Sequence, residues 1–79
     1  MTSIRVNLTY PENLIRQPII ATLVRDFDVL ANIRRASVED TVGWMMCELV
    51  GEHENVERAM EWMRVQGVDV ALLGDVVEG

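Results

Sequence analysis

Seventy-nine residues make one small domain, which on folding buries roughly 60% of its unfolded surface, and a hydrophobic content of 49% is ample for a core. Thirteen acidic residues against seven basic ones, all of them Arg, give a net charge of −6; such a balance repels phosphate backbones and argues against nucleic acid and anionic membrane surfaces as partners. One cysteine, Cys47, cannot supply an internal disulfide, an iron–sulfur cluster or a structural zinc site.

The opening residues Met1 to Arg5 lack the apolar segment of a secretory signal, and no apolar run approaches the ~18 residues of a membrane span. A soluble, cytoplasmic domain is the expectation. Ile4, Val6 and Leu8 alternate with Arg5, Asn7 and Thr9, the pattern of a half-buried first strand that ends at Tyr10-Pro11-Glu12-Asn13. A helix follows from Pro18, with Ile20, Leu23, Val24 and Phe27 forming one apolar stripe and Asp26 and Asp28 stopping it near residue 26.

A second strand is expected over Val29 to Ser37 and a third over Val42 to Val50, joined by a hairpin turn at Val38-Glu39-Asp40-Thr41. The second helix covers Glu54 to Gln66, its inward stripe being Val56, Ala59, Met60 and Met63, and Gly67 supplies a left-handed cap. Strand four is Val68 to Leu73, with Val68, Val70 and Leu72 inward. The tail Gly74 to Gly79 either frays or adds a short strand.

Two right-handed βαβ halves in this order predict an α+β domain: a ferredoxin-like βαββαβ with a four-stranded antiparallel sheet, order 4-1-3-2, and two helices on one face. The odd positions of strands two and three then face the helices. The even positions Leu30, Asn32, Arg34, Trp44, Met46 and Glu48 lie on the open face, with Arg5, Asn7 and Thr9 from strand one and Asp69, Ala71 and Leu73 from strand four. That face is too apolar to be left to water, and strand two is an unpaired edge, so a homodimer is expected.

Asn32 has two readings, a polar residue facing solvent or an amide offering a donor and an acceptor to a small zwitterion. Cys47 reads as a buried, inert thiol. His53, in the Gly51-Glu52-His53-Glu54 turn, reads as a solvated loop residue, the alternative being a weak metal ligand. Met45, Met46, Met60 and Met63 read as core filling rather than a thioether or soft-metal set, with Met46 alone on the open face. The acidic run Glu52, Glu54, Glu57 and Glu61 is a solvated helix face or a docking patch for a basic partner. Paired cysteines or a glycine-rich phosphate cradle after strand one are missing, as is an aromatic, basic RNA-binding surface. With no nucleophile–base pair and no metal set, no enzyme is expected.

The stretch Phe27-Asp28-Val29-Leu30-Ala31-Asn32-Ile33, the strand Val42-Gly43-Trp44-Met45-Met46-Cys47-Glu48-Leu49-Val50-Gly51, the acidic helix start, Ala59 and Gly67-Val68-Asp69-Val70 together resemble the NIL domain. That family is named for an Asn-Ile-Leu motif in strand two and is best known as a regulatory domain of methionine ABC-transporter ATPase subunits. The resemblance covers residues 4 to 73 and implies one domain over 1–79, ferredoxin-like and ACT-like, that dimerises and binds methionine or a related sulfur amino acid near the subunit interface. Asn32 and Ile33 match the first two motif letters, whereas Arg34 stands where the family has Leu. Gly43 matches the family pattern too.

No Gly-x-x-x-x-Gly-Lys loop and no Lys occur, nor the Cys-rich ferredoxin segment of a second group of relatives, so the expectation is a stand-alone member that acts in trans. The expected ligand-binding set is Asn32, Ile33, Arg34, Gly43 and Trp44, with no catalytic residue, metal or cofactor. The alternative is a ligand-free interaction subunit that docks an enzyme or transporter of sulfur or amino-acid metabolism.

Overall fold

Alternating apolar side chains draw the first ten-residue segment into a strand, and in a computed structural model of the chain that rhythm sets up the whole sheet. The elements are β1 (Thr2–Pro11), α1 (Ile19–Phe27), β2 (Leu30–Val38), β3 (Val42–Gly51), α2 (His53–Gln66), β4 (Asp69–Leu72) and a two-residue β5 (Val77–Glu78). The structure describes residues 1–39 and 41–74, and the backbone of 77–78.

The sheet is antiparallel in the order β2-β3-β1-β4, and β5 pairs with Thr2 and Ser3 at the start of β1. The architecture is the ferredoxin-like α+β arrangement read from the sequence. The short strand at Val77–Glu78 settles the tail in favour of pairing; Asp75, Val76 and Gly79 lie outside the described residues, as does Asp40 of the expected hairpin turn. No described helix is long and apolar enough to cross a membrane.

One layer of side chains between sheet and helices forms the core. Ile4, Val6 and Leu8 from β1, Cys47 and Leu49 from β3, Leu23 from α1 and Val56, Ala59, Met60 and Met63 from α2 are buried together. The α2 stripe matches its sequence pattern residue for residue. Gly67, at φ 107°, ends that helix, its N–H reaching Arg64 O and the next N–H, of Val68, reaching Met63 O, both at 3.0 Å. These two bonds satisfy carbonyls that a helix end otherwise leaves open, and they tuck Val68 against the last turn.

The α1 stripe is rotated from its expected position. Pro18 is the N-cap, so the helix starts at Ile19, and Ile19 and Leu23 are buried with Ile20 and Phe27 partly so. Val24 turns out to solvent at 39% exposed. The helix also runs past Asp26, whose carboxylate is held by Arg25: the guanidinium Nε donates to Oδ1 at 2.7 Å and its Nη2 to Oδ2 at 3.1 Å. The pair lowers the pKa of Asp26 and offsets an unfavourable charge at the helix end. Asp28 then stops the helix in the left-handed region, φ 55°.

Candidate functional site

The even positions of β3 and the first half of β2 face away from the helices, because Leu30 pairs with Val50, Asn32 with Glu48, and Ala31 with buried Leu49. After Ile33, which is opposite Cys47, the register slips: Arg35 is opposite Met46 and Arg34 is the extra residue of a β-bulge. Parity inverts beyond it, so Ser37, opposite Trp44, is on the open face and Ala36 and Val38 turn to the helix side. The expected continuation of Arg34's face to the even residues stops at this point.

Helices cover the central strands and leave the two outer ones short of cover. Ile33, expected inward, is 54% exposed, and Leu72 on the four-residue β4 is 51% exposed. Leu30 at 60% and Val38 at 70% add to an apolar rim along β2, the edge strand that has only β3 as a neighbour.

Beside this rim an apolar groove of about 220 Å³ opens between the start of α1 and the far end of the β2–β3 hairpin. Ile15, Pro18, Ala36, Val38, Gly43 and Trp44 are among its walls. Tyr10 sets its back wall; Pro11 then ends β1 and a 3-10 turn over Glu12–Leu14 carries the chain round to α1. Gly43 forms its floor; a Cβ there would lie in ordinary contact with Ile15 Cγ1 at 3.6 Å and Ser37 O at 3.7 Å. The amides of Ile20 and Ala21 open α1 ahead of its first turn bond, Thr22 N–H to Pro18 O at 3.0 Å, and both residues line the groove.

Two members of the expected ligand set, Gly43 and Trp44, therefore meet in the groove, whereas Asn32, Ile33 and Arg34 lie along the β2 edge outside it. Sequence reasoning did not find Tyr10 or the opening of α1 as parts of a site. Tyr10 carries the one hint: it is buried beside the groove and its hydroxyl has no hydrogen-bond partner among the described residues. Burial pushes its pKa up to about 12, with the nearby Cys47 adding a smaller push in the same direction.

Cys47 is fully buried and burial pushes its thiol up to about 11, which keeps it protonated and unreactive. His53 is the first residue of α2 rather than part of a loop, with Nδ1 3.5 Å from Thr2 Oγ1 and Nε2 3.6 Å from Glu57 Oε1. Met60 and Met63 are core residues, Met45 is half-buried against the core and Met46 is on the open face. Among the described residues no three His, Cys, Asp or Glu side chains gather as a metal site.

The architecture defines a ferredoxin-like α+β domain with an apolar groove beside its edge strand. The chain is a member of the NIL domain family, whose model matches residues 4–71. It is 33% identical over 73 residues to a methionine import ATP-binding protein, MetN, of Francisella tularensis subsp. holarctica, covering 87% of this chain and 21% of that protein. The MetN of Chromohalobacter salexigens is 32% identical over 75 residues, covering 90% of this chain and 22% of that one. The chain thus spans about a fifth of the length of these relatives. Among solved structures, the C-terminal domain of an ABC transporter ATP-binding protein from Enterococcus faecalis superimposes with a TM-score of 0.82 at 25% identity, covering 91% of this chain and 84% of that one.

Proposed function

We propose that this chain is a non-catalytic regulatory module of methionine import or a related process in the cytoplasm, which binds methionine or a similar sulfur amino acid where two copies meet. The observation that carries the reading is the free β2 edge with its exposed Leu30, Ile33 and Val38 running beside the apolar groove. Antiparallel pairing of β2 with a second copy about the bulge sets Ile33 opposite Ala36 and Asn32 opposite Ser37. It is a register in which opposed residues share a face, since Ile33 and Ala36 lie on the helix side and Asn32 and Ser37 on the open side.

In that register the second copy's Asn32–Arg34 segment runs along the β2 wall of the groove, and the five residues Asn32, Ile33, Arg34, Gly43 and Trp44 form one shared site. A thioether side chain fits the apolar walls and a ligand carboxylate fits the opening amides of α1; Ile33 of the second copy, on the helix side, extends the apolar wall, and Asn32, on the open side of the seam, holds the rim. Kinship with methionine import ATP-binding proteins supports the ligand class.

Isothermal titration with L-methionine, homocysteine and a panel of other amino acids tests the proposal. Saturable binding to a sulfur amino acid is expected, lost in Asn32→Ala with the dimer intact and in Gly43→Ala, whose added methyl fills the groove floor without a backbone clash. Silence across the panel, with the chain folded, overturns ligand sensing and leaves the alternative of a docking subunit.

A further inference from the structure

We propose that the helix-free face of the sheet carries a second site, a cleft framed by Arg5, Arg34 and Arg35 that binds a small phosphate-bearing anion. The cleft belongs to the open side of a single chain and is argued apart from the groove, although Arg34 is shared with the ligand set above and pairing of β2 with a second copy would bring that copy's Arg34 opposite Arg35. The cleft, of about 410 Å³, is lined by Arg5, Arg34, Arg35, Met46 and Glu48. Three of the chain's seven cationic side chains thus converge on one spot of a protein whose net charge is −6.

The bulge makes the cluster. In a regular strand Arg34 and Arg35 would point to opposite faces; the extra residue between Ile33 and Arg35 turns Arg35 to the open side, opposite Met46, while Arg34 lines the same cleft. Arg5 joins them from β1, opposite Glu48. None of the three guanidinium groups makes an ion pair with a described residue, although the chain has thirteen acidic side chains. Glu48 is the one carboxylate of the cleft, and one negative charge among three positive ones leaves it cationic.

Like charges gathered at this spacing repel one another, and a multivalent anion relieves the repulsion while using the planar donor forks of several guanidinium groups at once. A phosphate group has the charge and the number of acceptor oxygens for this; a monocarboxylate such as a simple amino acid occupies one fork and leaves the others unpaired. Nucleic acid and membranes are disfavoured as occupants because the chain as a whole carries a net charge of −6, so an extended polyanion meets net repulsion and only a compact anion gains from the cleft.

Titration of the folded chain with inorganic phosphate, pyrophosphate and adenosine 5′-monophosphate, at constant ionic strength, tests the site by nuclear magnetic resonance of the arginine Nε–H groups. Saturable shifts are expected for Arg5, Arg34 and Arg35, with Arg64 on α2 unmoved. Arg35→Ala should weaken binding about tenfold, the loss of one charge-assisted pair, and Arg5→Ala with Arg35→Ala should abolish it. Tighter binding of the nucleotide than of phosphate identifies a phosphorylated nucleoside as the source; equal binding identifies free phosphate. Shifts that do not saturate, that spread evenly over all the arginines, or that chloride reproduces overturn the proposal, and unchanged thermal melting of the variants keeps such a result from being a folding artefact.

Discussion

Tyr10 is the residue whose environment and chemistry disagree most. Its ring closes the end of the core next to the groove, but the hydroxyl is buried with no hydrogen-bond partner among the described residues. Such a group costs about 1 kcal/mol or more relative to an apolar atom of the same shape. Tyr10→Phe is therefore expected to raise the melting temperature, by about 4–8 °C for each kcal/mol gained in a domain of this size. A calorimetric scan showing destabilisation would mean that the hydroxyl is satisfied. The pH dependence has a definite sign. Tyr10 is raised from 10.0 to about 12 and Cys47 from 9.0 to about 11, so the folded chain holds both protons more tightly than the unfolded one. Their stabilising contribution is complete below pH 9 and is lost as pH rises through the windows 9 to 11 and 10 to 12. In Tyr10→Phe only the Cys47 part of that alkaline loss should remain.

At the scale of elements, strict alternation is read at once and a change of phase is easily missed. The Ile4-Val6-Leu8 rhythm gave β1, and Val56, Ala59, Met60 and Met63 gave the buried stripe of α2. In β2 the apolar positions change from odd, Ala31 and Ile33, to even, Ala36 and Val38, across the polar pair Arg34-Arg35; that change of phase marks where the register slips, and a reading that assigned one parity to the whole strand passed over it. For α1, Ile19 and Ile20 are both apolar, and the phase of the helix was settled by where Pro18 caps it, which shifted the stripe toward Ile19 and freed Val24. The candidate set was visible only in part for the same reason: Gly43 and Trp44, which line the groove, could be named, but the groove itself depends on how α1 and the hairpin end approach each other in space. The C-terminus of α1 supplies a test of helix electrostatics. Asp28 holds a left-handed conformation and places a carboxylate at the negative end of the helix. Asp28→Asn keeps the tolerance for that conformation and removes the charge, and is expected to stabilise by about 0.5 kcal/mol, read as a rise of about 2–4 °C in melting temperature.

The whole molecule has polarity across its sheet: helices and core on one side, a mixed apolar and cationic surface on the other, and edges of unequal length. If β2 is the assembly edge, Ile33→Glu should convert a dimer to a monomer in sedimentation velocity while leaving circular dichroism unchanged, since the exposed side chain contributes nothing to the core. Burial of one such side chain is worth about 1.5–3 kcal/mol, and each interface contains two copies. A monomeric parent chain at the same concentration would refute the edge assignment. The inequality of the two edges has a further consequence. Propagation of a sheet from chain to chain requires two long templates, one to receive and one to present; β2 offers nine residues, whereas β4 on the opposite side offers four. If two nine-residue edges anneal as proposed, what remains outside is too brief to recruit a third molecule, so such a geometry would terminate growth at a pair and guard a strand-rich, greasy-edged chain against fibre formation.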